Sequence, residues 1–332
     1  MSSTTCVGFI LGVATIAITT VGGSRAYAQA ADPNSAPNIY RAGENFGQMP
    51  ADRKMGSAIG VEIDRDGKSL WVFDRCAAND CAGSNVAPIM HFDPAGKLLT
   101  SFGAGMFAFP HGLAVDRDGN VWATDGKRHI VVKFAPDGKV LMTLGHQDAP
   151  GDGNDSFNQP SDVVIAANGD IFVADGHGGK SNDRIVRLSK DGKFIKAWGH
   201  HGKAPGEFDT PHGIALDSAG RVFVADRVNS RVQVFDPDGN LVAEWKQFGR
   251  PSGIFIDKKD TVYVTDNQSD DKRNSGYKQG IRIGSAKDGK VTAMIPPDGT
   301  LGAPEMATAD NEGAVFGGFT DKKFAVKKFA KQ

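Results

Sequence analysis

A chain of 332 residues with 40% hydrophobic and 23% charged residues can bury one large core or two ordinary ones. Its formal net charge of −1 gives no field of one sign, which argues against nucleic acid or an anionic membrane surface as partner. The 42 glycines, many in Asp-Gly pairs, punctuate the chain into short segments, as expected for many strands joined by turns.

The first thirty residues stand apart. "CVGFILGVATIAITTVGG" (Cys6–Gly23) is apolar and uncharged, and "AYAQA" (Ala26–Ala30) puts small residues at the −3 and −1 positions of two cleavage points. This predicts a secretory signal peptide over 1–30 and a periplasmic or secreted protein with no membrane contact once the signal is removed. The run lacks a preceding Lys or Arg, and an uncleaved N-terminal anchor is the rival reading. Residues 31–55 read as a lead-in that supplies a closing strand. In an exported protein Cys76 and Cys81 of "DRCAANDC" predict a disulfide rather than a metal site, Cys6 leaving with the signal.

From residue 56 to 332 one phrase recurs. Its copies are "AIGVEIDRDGKSLWVFD", "PHGLAVDRDGNVWATD", "PSDVVIAANGDIFVAD", "PHGIALDSAGRVFVAD", "PSGIFIDKKDTVYVTD" and a degenerate "PEMATADNEGAVFGGF". They start at residues 58, 110, 160, 211, 251 and 304, at intervals of 40 to 53. Each copy holds an alternating stretch, an Asp/Gly turn and a second apolar stretch. A third stretch such as "RVQVF" follows, then a P-D-G or K-D-G turn, then a fourth such as "NLVAEW". Four antiparallel strands per repeat at this period define a propeller blade, so the expected fold is an all-β, six-bladed β-propeller. A β-sandwich or a pair of small domains fits the even period less well.

In a propeller the first strand of each blade lines a central channel, and equivalent positions form a ring. The residue after the proline gives Ile59, His111, Ser161, His212, Ser252 and Glu305. Metal-capable side chains fall on alternate members, about 120° apart in a closed ring of six, so His111, His212 and Glu305 converge as a candidate zinc set with an open fourth position. A metal held there would acidify a bound hydroxyl. After the second strands come Arg75, Gly126, Gly176, Arg227 and Asn267. Arg75 and Arg227 face each other across the ring and suit a substrate carboxylate, the rival being pairing with their neighbours Asp74 and Asp226. His177, just after the second strand of the third blade, is a candidate general base. His91, His146, His200 and His201 read as solvated and His129 as structural.

The phrases "FPHGLAVDRDGNVWATD", "QPSDVV", "WG…PGEF…PHGIAL" and "VADRVNSRVQVF" resemble peptidyl-α-hydroxyglycine α-amidating lyase, an NHL-repeat propeller family, most closely from Phe109 to about Asn267. The resemblance implies a zinc enzyme that splits a peptidyl α-hydroxyglycine into an amide and glyoxylate. It implies zinc histidines at His111 and His212, active-site arginines at Arg75 and Arg227, and a structural Ca²⁺ on the backbone carbonyls of Val61 and Leu113. Three positions depart from the family. Glu305 matches its third zinc histidine, Met306 its acidic calcium ligand, and His177 its catalytic tyrosine. The family further implies a small-molecule or peptide substrate bearing a carboxylate, and a separate monooxygenase as partner. Two other classes compete with the lyase: a non-catalytic propeller that binds a partner through its loops, and a metal-dependent lactonase-type hydrolase.

Overall fold

The structure, a computed structural model, describes Met1 and residues 32–297, 299, 302–320 and 326–332. The predicted signal segment, Met1 aside, lies outside the described residues. Six four-stranded antiparallel sheets follow one another along the chain, and there is no helix among the described residues. The expected six-bladed propeller is therefore the observed fold.

Blade 1 comprises Ala58–Ile63, Leu70–Asp74, Ile89–Phe92 and Leu98–Phe102. Blade 2 comprises Pro110–Val115, Val121–Asp125, Ile130–Phe134 and Val140–Gly145. In blade 3 the strands are Pro160–Ile165, Ile171–Asp175, Arg184–Leu188 and Phe194–Trp198. In blade 4 they are Pro211–Leu216, Val222–Asp226, Arg231–Phe235 and Leu241–Trp245. Blade 5 has Ile254–Ile256, Thr261–Asp266, Gly280–Ser285 and Val291–Ile295. Blade 6 is a composite: Met306–Ala309, Val315–Gly318 and Val326–Phe329 come from the C-terminal end, and Glu44–Asn45 of the lead-in adds the outermost strand. Pairing of Glu44 with Lys328 and Asn45 with Lys327 joins the two ends of the ring and gives the last blade the four strands of the others.

Burial falls from the axis outward. Second strands such as Val121–Asp125 are buried throughout, whereas the outermost Val140–Gly145 is half exposed. Between blades sits a repeated aromatic wedge: Phe107, Phe157, Phe208 and Phe248 each stand three residues before a phrase's proline and are at most 2% exposed. Phe107 meets the rings of Phe73 from blade 1 and Phe134 from blade 2, edge-on and tilted. The aspartate that ends the phrase is structural. Asp125, fully buried, accepts the N–H groups of Ala108, Phe109, Lys127 and Arg128, pinning the approach to one strand and the exit from the next.

Candidate metal and carboxylate site

The ring residues are placed by a recurrent irregularity. The ladder between first and second strands slips at Ala58/Gly60, Pro110/Leu113, Pro160/Asp162 and Pro211/Gly213. A bulge leaves its extra residue unpaired and re-aims its side chain. The skipped residues are Ile59, His111 with Gly112, Ser161 and His212, so the bulges fall on ring positions. Glycine follows both histidines because the neighbouring blade is too close for a side chain: a Cβ on Gly112 would lie 2.4 Å from Asp162 Oδ1 and 2.6 Å from its Cα.

His111 and His212 are fully buried and their ring centroids lie 4.5 Å apart. Each ring is oriented by the next alternate-type member of the ring. His111 Nδ1 is 2.6 Å from the carbonyl of Ser161, and His212 Nδ1 is 2.8 Å from that of Ser252. A carbonyl only accepts, so the proton belongs on Nδ1 and each Nε2 keeps a lone pair. Neither Nε2 has a hydrogen-bond partner. Burial holds both imidazoles well below the usual histidine range, with further repulsion from His177 and Arg75 on His111 and from Arg227 on His212. Two neutral imidazoles with orphaned, inward-facing lone pairs suit a metal ion.

His177 joins them. Its ring lies 4.4 Å from His111 and 5.1 Å from His212, and ligand atoms of the three all lie within 4.8 Å of one another. Burial, and then Arg227 and Arg75, pull its pKa down to about 3. Glu305 stands on the other side of His212. Its Oε1 is 3.3 Å from His212 Nε2 without hydrogen-bond geometry, and 3.4 Å from Arg227 Nη1, while Oε2 accepts from the Asn267 amide. The trio that geometry draws together is thus His111, His177 and His212, with Glu305 touching one of its members.

The arginines do not pair with their neighbouring aspartates: Asp74 takes Arg53 at 3.0 Å and Asp226 takes Arg231 at 2.7 Å. Arg75 lies over the Phe109 ring, 3.9 Å from its centroid, and donates to the Pro110 carbonyl and to Asn79 Oδ1. Burial lowers its pKa to about 10, so it stays cationic at neutral pH. Arg227 keeps a buried Nε without a partner. Asn79 sits between Cys76 and Cys81, which form the expected disulfide, Cα–Cα 5.2 Å. Phe109, Asn79 and Asn267 were not singled out from sequence; the second-strand column held Asn267, and the Cys76–Cys81 spacing bracketed Asn79.

Val61 and Leu113 line a narrow channel of about 120 Å³ with Glu62, Asp162 and Met306. An adjoining cavity of about 520 Å³ opens at the far ends of the inner strands, lined by Tyr40, Glu62, Phe255 and Tyr263 and holding none of the histidines. A second metal-capable group, Asp183, His201 and Asp209, is an occupied strut: His201 Nδ1 is 2.7 Å from Asp183 Oδ2. His91 is not free in solvent, being stacked on Trp71 at 4.0 Å and 3.0 Å from Asp64.

A propeller with three histidines converging on its axis between two buried arginines defines the class. The NHL repeat family matches residues 107–134 and 208–235. The chain is 32% identical over 255 residues to the probable peptidyl-α-hydroxyglycine α-amidating lyase of Caenorhabditis elegans, covering 68% of this chain and 72% of that protein. It is 34% identical over 303 residues to peptidyl-glycine α-amidating monooxygenase A of Xenopus laevis, covering 80% of this chain but only 31% of that protein. Among solved structures, a streptogramin B lyase aligns with TM-score 0.58 at 15% identity over 90% of this chain and all of that one, which shows the fold alone. The chain belongs to the peptidyl-α-hydroxyglycine α-amidating lyase family.

Proposed function

We propose that this protein is an exported, zinc-dependent lyase that cleaves the C–N bond of an α-hydroxyglycine-type substrate to an amide and glyoxylate. The observation that carries the reading is the convergence of His111, His177 and His212 beside Arg75 and Arg227. Three imidazoles suit Zn²⁺, which when bound would lower the pKa of a substrate hydroxyl. His111 and His212 are ligands in this reading. Of the two remaining donors, His177 and Glu305, one completes the set. Arg75, held by Phe109 and Asn79, orients the substrate carboxylate so that the hydroxyl-bearing carbon lies over the histidines. The low burial-set pKa values keep the imidazoles neutral through the neutral pH range. The substrate hydroxyl gives its proton to solvent water, its O–H bonding pair forms the carbonyl, and the C–N bonding pair departs with the amide nitrogen, which takes a proton from water in return.

In the channel Met306 offers a thioether where the family has an acidic calcium ligand, while the carboxylates present are Glu62 and Asp162, the latter accepting from the Val163 and Ile214 amides. The disulfide supports export. A separate monooxygenase would supply the hydroxylated substrate.

The test is metal content together with glyoxylate release from an α-hydroxyglycine peptide. About one zinc per chain and stoichiometric glyoxylate are expected, with both lost in His111→Ala. A zinc-loaded protein that releases no glyoxylate, or a metal-free His111→Ala that keeps full turnover, rejects the reading.

A further inference from the structure

The family resemblance assigns the third metal ligand to position 305. We infer that His177, not Glu305, completes the ligand set with His111 and His212, and that Glu305 instead supplies the counter-charge that fixes Arg227. The inference rests on the metal reading above and departs from the family pattern at two positions together.

Two backbone facts separate the candidates. In blades 2 and 4 the ring residue is a bulge within the first strand, which swings its side chain over the axis. In blade 6 the strand starts two residues later in the phrase, at Met306, and pairs with Val315–Gly318 without a slip. Glu305 therefore precedes its strand, with its N–H on the Gly318 carbonyl and its own carbonyl taken by Thr265 Oγ1. Both carboxylate oxygens are engaged, one by Arg227 and one by Asn267. A carboxylate held this way lies 3.3 Å from one imidazole and outside the group in which every ligand atom is within 4.8 Å of the others.

His177 has the opposite situation. The loop "GHGGKSND" (176–183) folds back on Asp183 so tightly that a Cβ on Gly176 would meet Asp183 Oδ1 at 2.6 Å and its Cα at 2.8 Å. Gly178, at φ +113°, donates its N–H to Ser181 Oγ, and Ser181 donates to Asp183 Oδ1. Asp183 is anchored in turn by His201 and the Thr210 amide. The loop is thus built to present residue 177 at the axis, where Phe109 meets its ring edge-on at 5.5 Å. Neither nitrogen of His177 makes a hydrogen bond to a described residue. A poised imidazole without a partner, beside two others with orphaned Nε2 atoms, is a ligand set; a doubly bonded carboxylate is a support.

Zinc affinity by chelator competition, and the absorption of the Co²⁺-substituted protein, separate the two roles. His177→Ala should weaken zinc by more than about a hundredfold, beyond what loss of an outer-shell partner costs. Glu305→Gln should hold zinc within a few-fold of the parent with an unchanged cobalt spectrum. His177→Cys should restore binding and add a thiolate-to-cobalt charge-transfer band in the near ultraviolet; Glu305→Cys should add none. The inference is overturned if Glu305→Gln releases the metal while His177→Ala keeps it, or if the charge-transfer band appears only in Glu305→Cys. Unaltered zinc affinity in a folded His177→Ala protein overturns it equally. If the parent protein itself binds no zinc, the underlying metal reading fails, an outcome distinct from a wrong third ligand.

Discussion

Blades 2 and 6 were built from the same phrase and have diverged in opposite directions. Blade 2 keeps every part of it: the bulged His111, the buried Asp125 with four N–H donors, and the aromatic wedge at Phe107. Blade 6 has lost the bulge, and Phe319 stands where the other blades end in aspartate, its carbonyl taking the Ala58 N–H of blade 1. In place of internal pinning, blade 6 relies on the strand borrowed from Glu44–Asn45. The difference teaches that the phrase does two separable jobs. The bulge aims a side chain at the axis, and the terminal aspartate locks the loop that leads into its own blade's ring residue. Blade 6 does neither, and its ring residue is turned to a neighbour, Arg227.

This comparison breaks most sharply at Asp125. Replacing it with Ala strands four part-buried N–H groups at once and should cost about 3 kcal/mol in chemical denaturation. Because Phe109 and His111 lie directly beyond the released amides, zinc affinity should fall with stability. Loss of stability with untouched zinc affinity would show that the lock and the aim are independent.

A smaller effect is expected at the disulfide loop of blade 1. The Cys76–Cys81 bridge closes a short loop, so the double Ser variant should lose about 2 kcal/mol. The loop also carries Asn79, whose Oδ1 accepts from both Arg75 and Ser57. The variant should therefore show a raised KM for a carboxylate-bearing substrate with kcat less affected. An unchanged KM would detach Asn79 from substrate binding.

How much of this was written in the sequence follows the same division. Where the repeat is intact, the strands, turns, blade count and His111–His212 meeting were legible, because a fixed period fixes equivalent positions in space. The closing strand at Glu44–Asn45 and the Cys76–Cys81 bridge were legible for the same kind of reason, one from the need to close a ring and one from spacing in a chain expected to be exported. Glu305 was harder to place because its column assumed that blade 6 shares the bulge, and a register slip leaves no mark on residue type. His177 was legible as a candidate site residue, but its close approach to His111 and His212 was not, since that depends on a loop folded around Asp183, a contact between residues with no periodic relation. Asn267 lay in the right column, but its partner could not be named before Glu305 was placed.

The smallest predicted effect concerns the joints between inner strands. Asp162 of blade 3 crosses to blade 4, where its Oδ2 accepts the Ile214 amide, and it packs on Gly112 of blade 2. The corresponding joint between blades 5 and 6 is apolar, Met306 lying against Gly253. Burial raises the Asp162 carboxyl to about 7. A folded pKa above the unfolded one, about 3.9, means that the stability this group contributes is complete below about pH 4. It is lost as pH rises through about 7, because the folded chain must then ionise a buried group that the unfolded chain ionises in water. Asp162→Asn removes the titration while keeping one acceptor for the Ile214 amide. Relative to the parent, the variant should therefore gain on the order of 1–2 kcal/mol between pH 5 and pH 8 in urea melts. Parallel stability profiles over that range would mean that Asp162 ionises at its ordinary pH and that the polar joint is no costlier to hold than the apolar one.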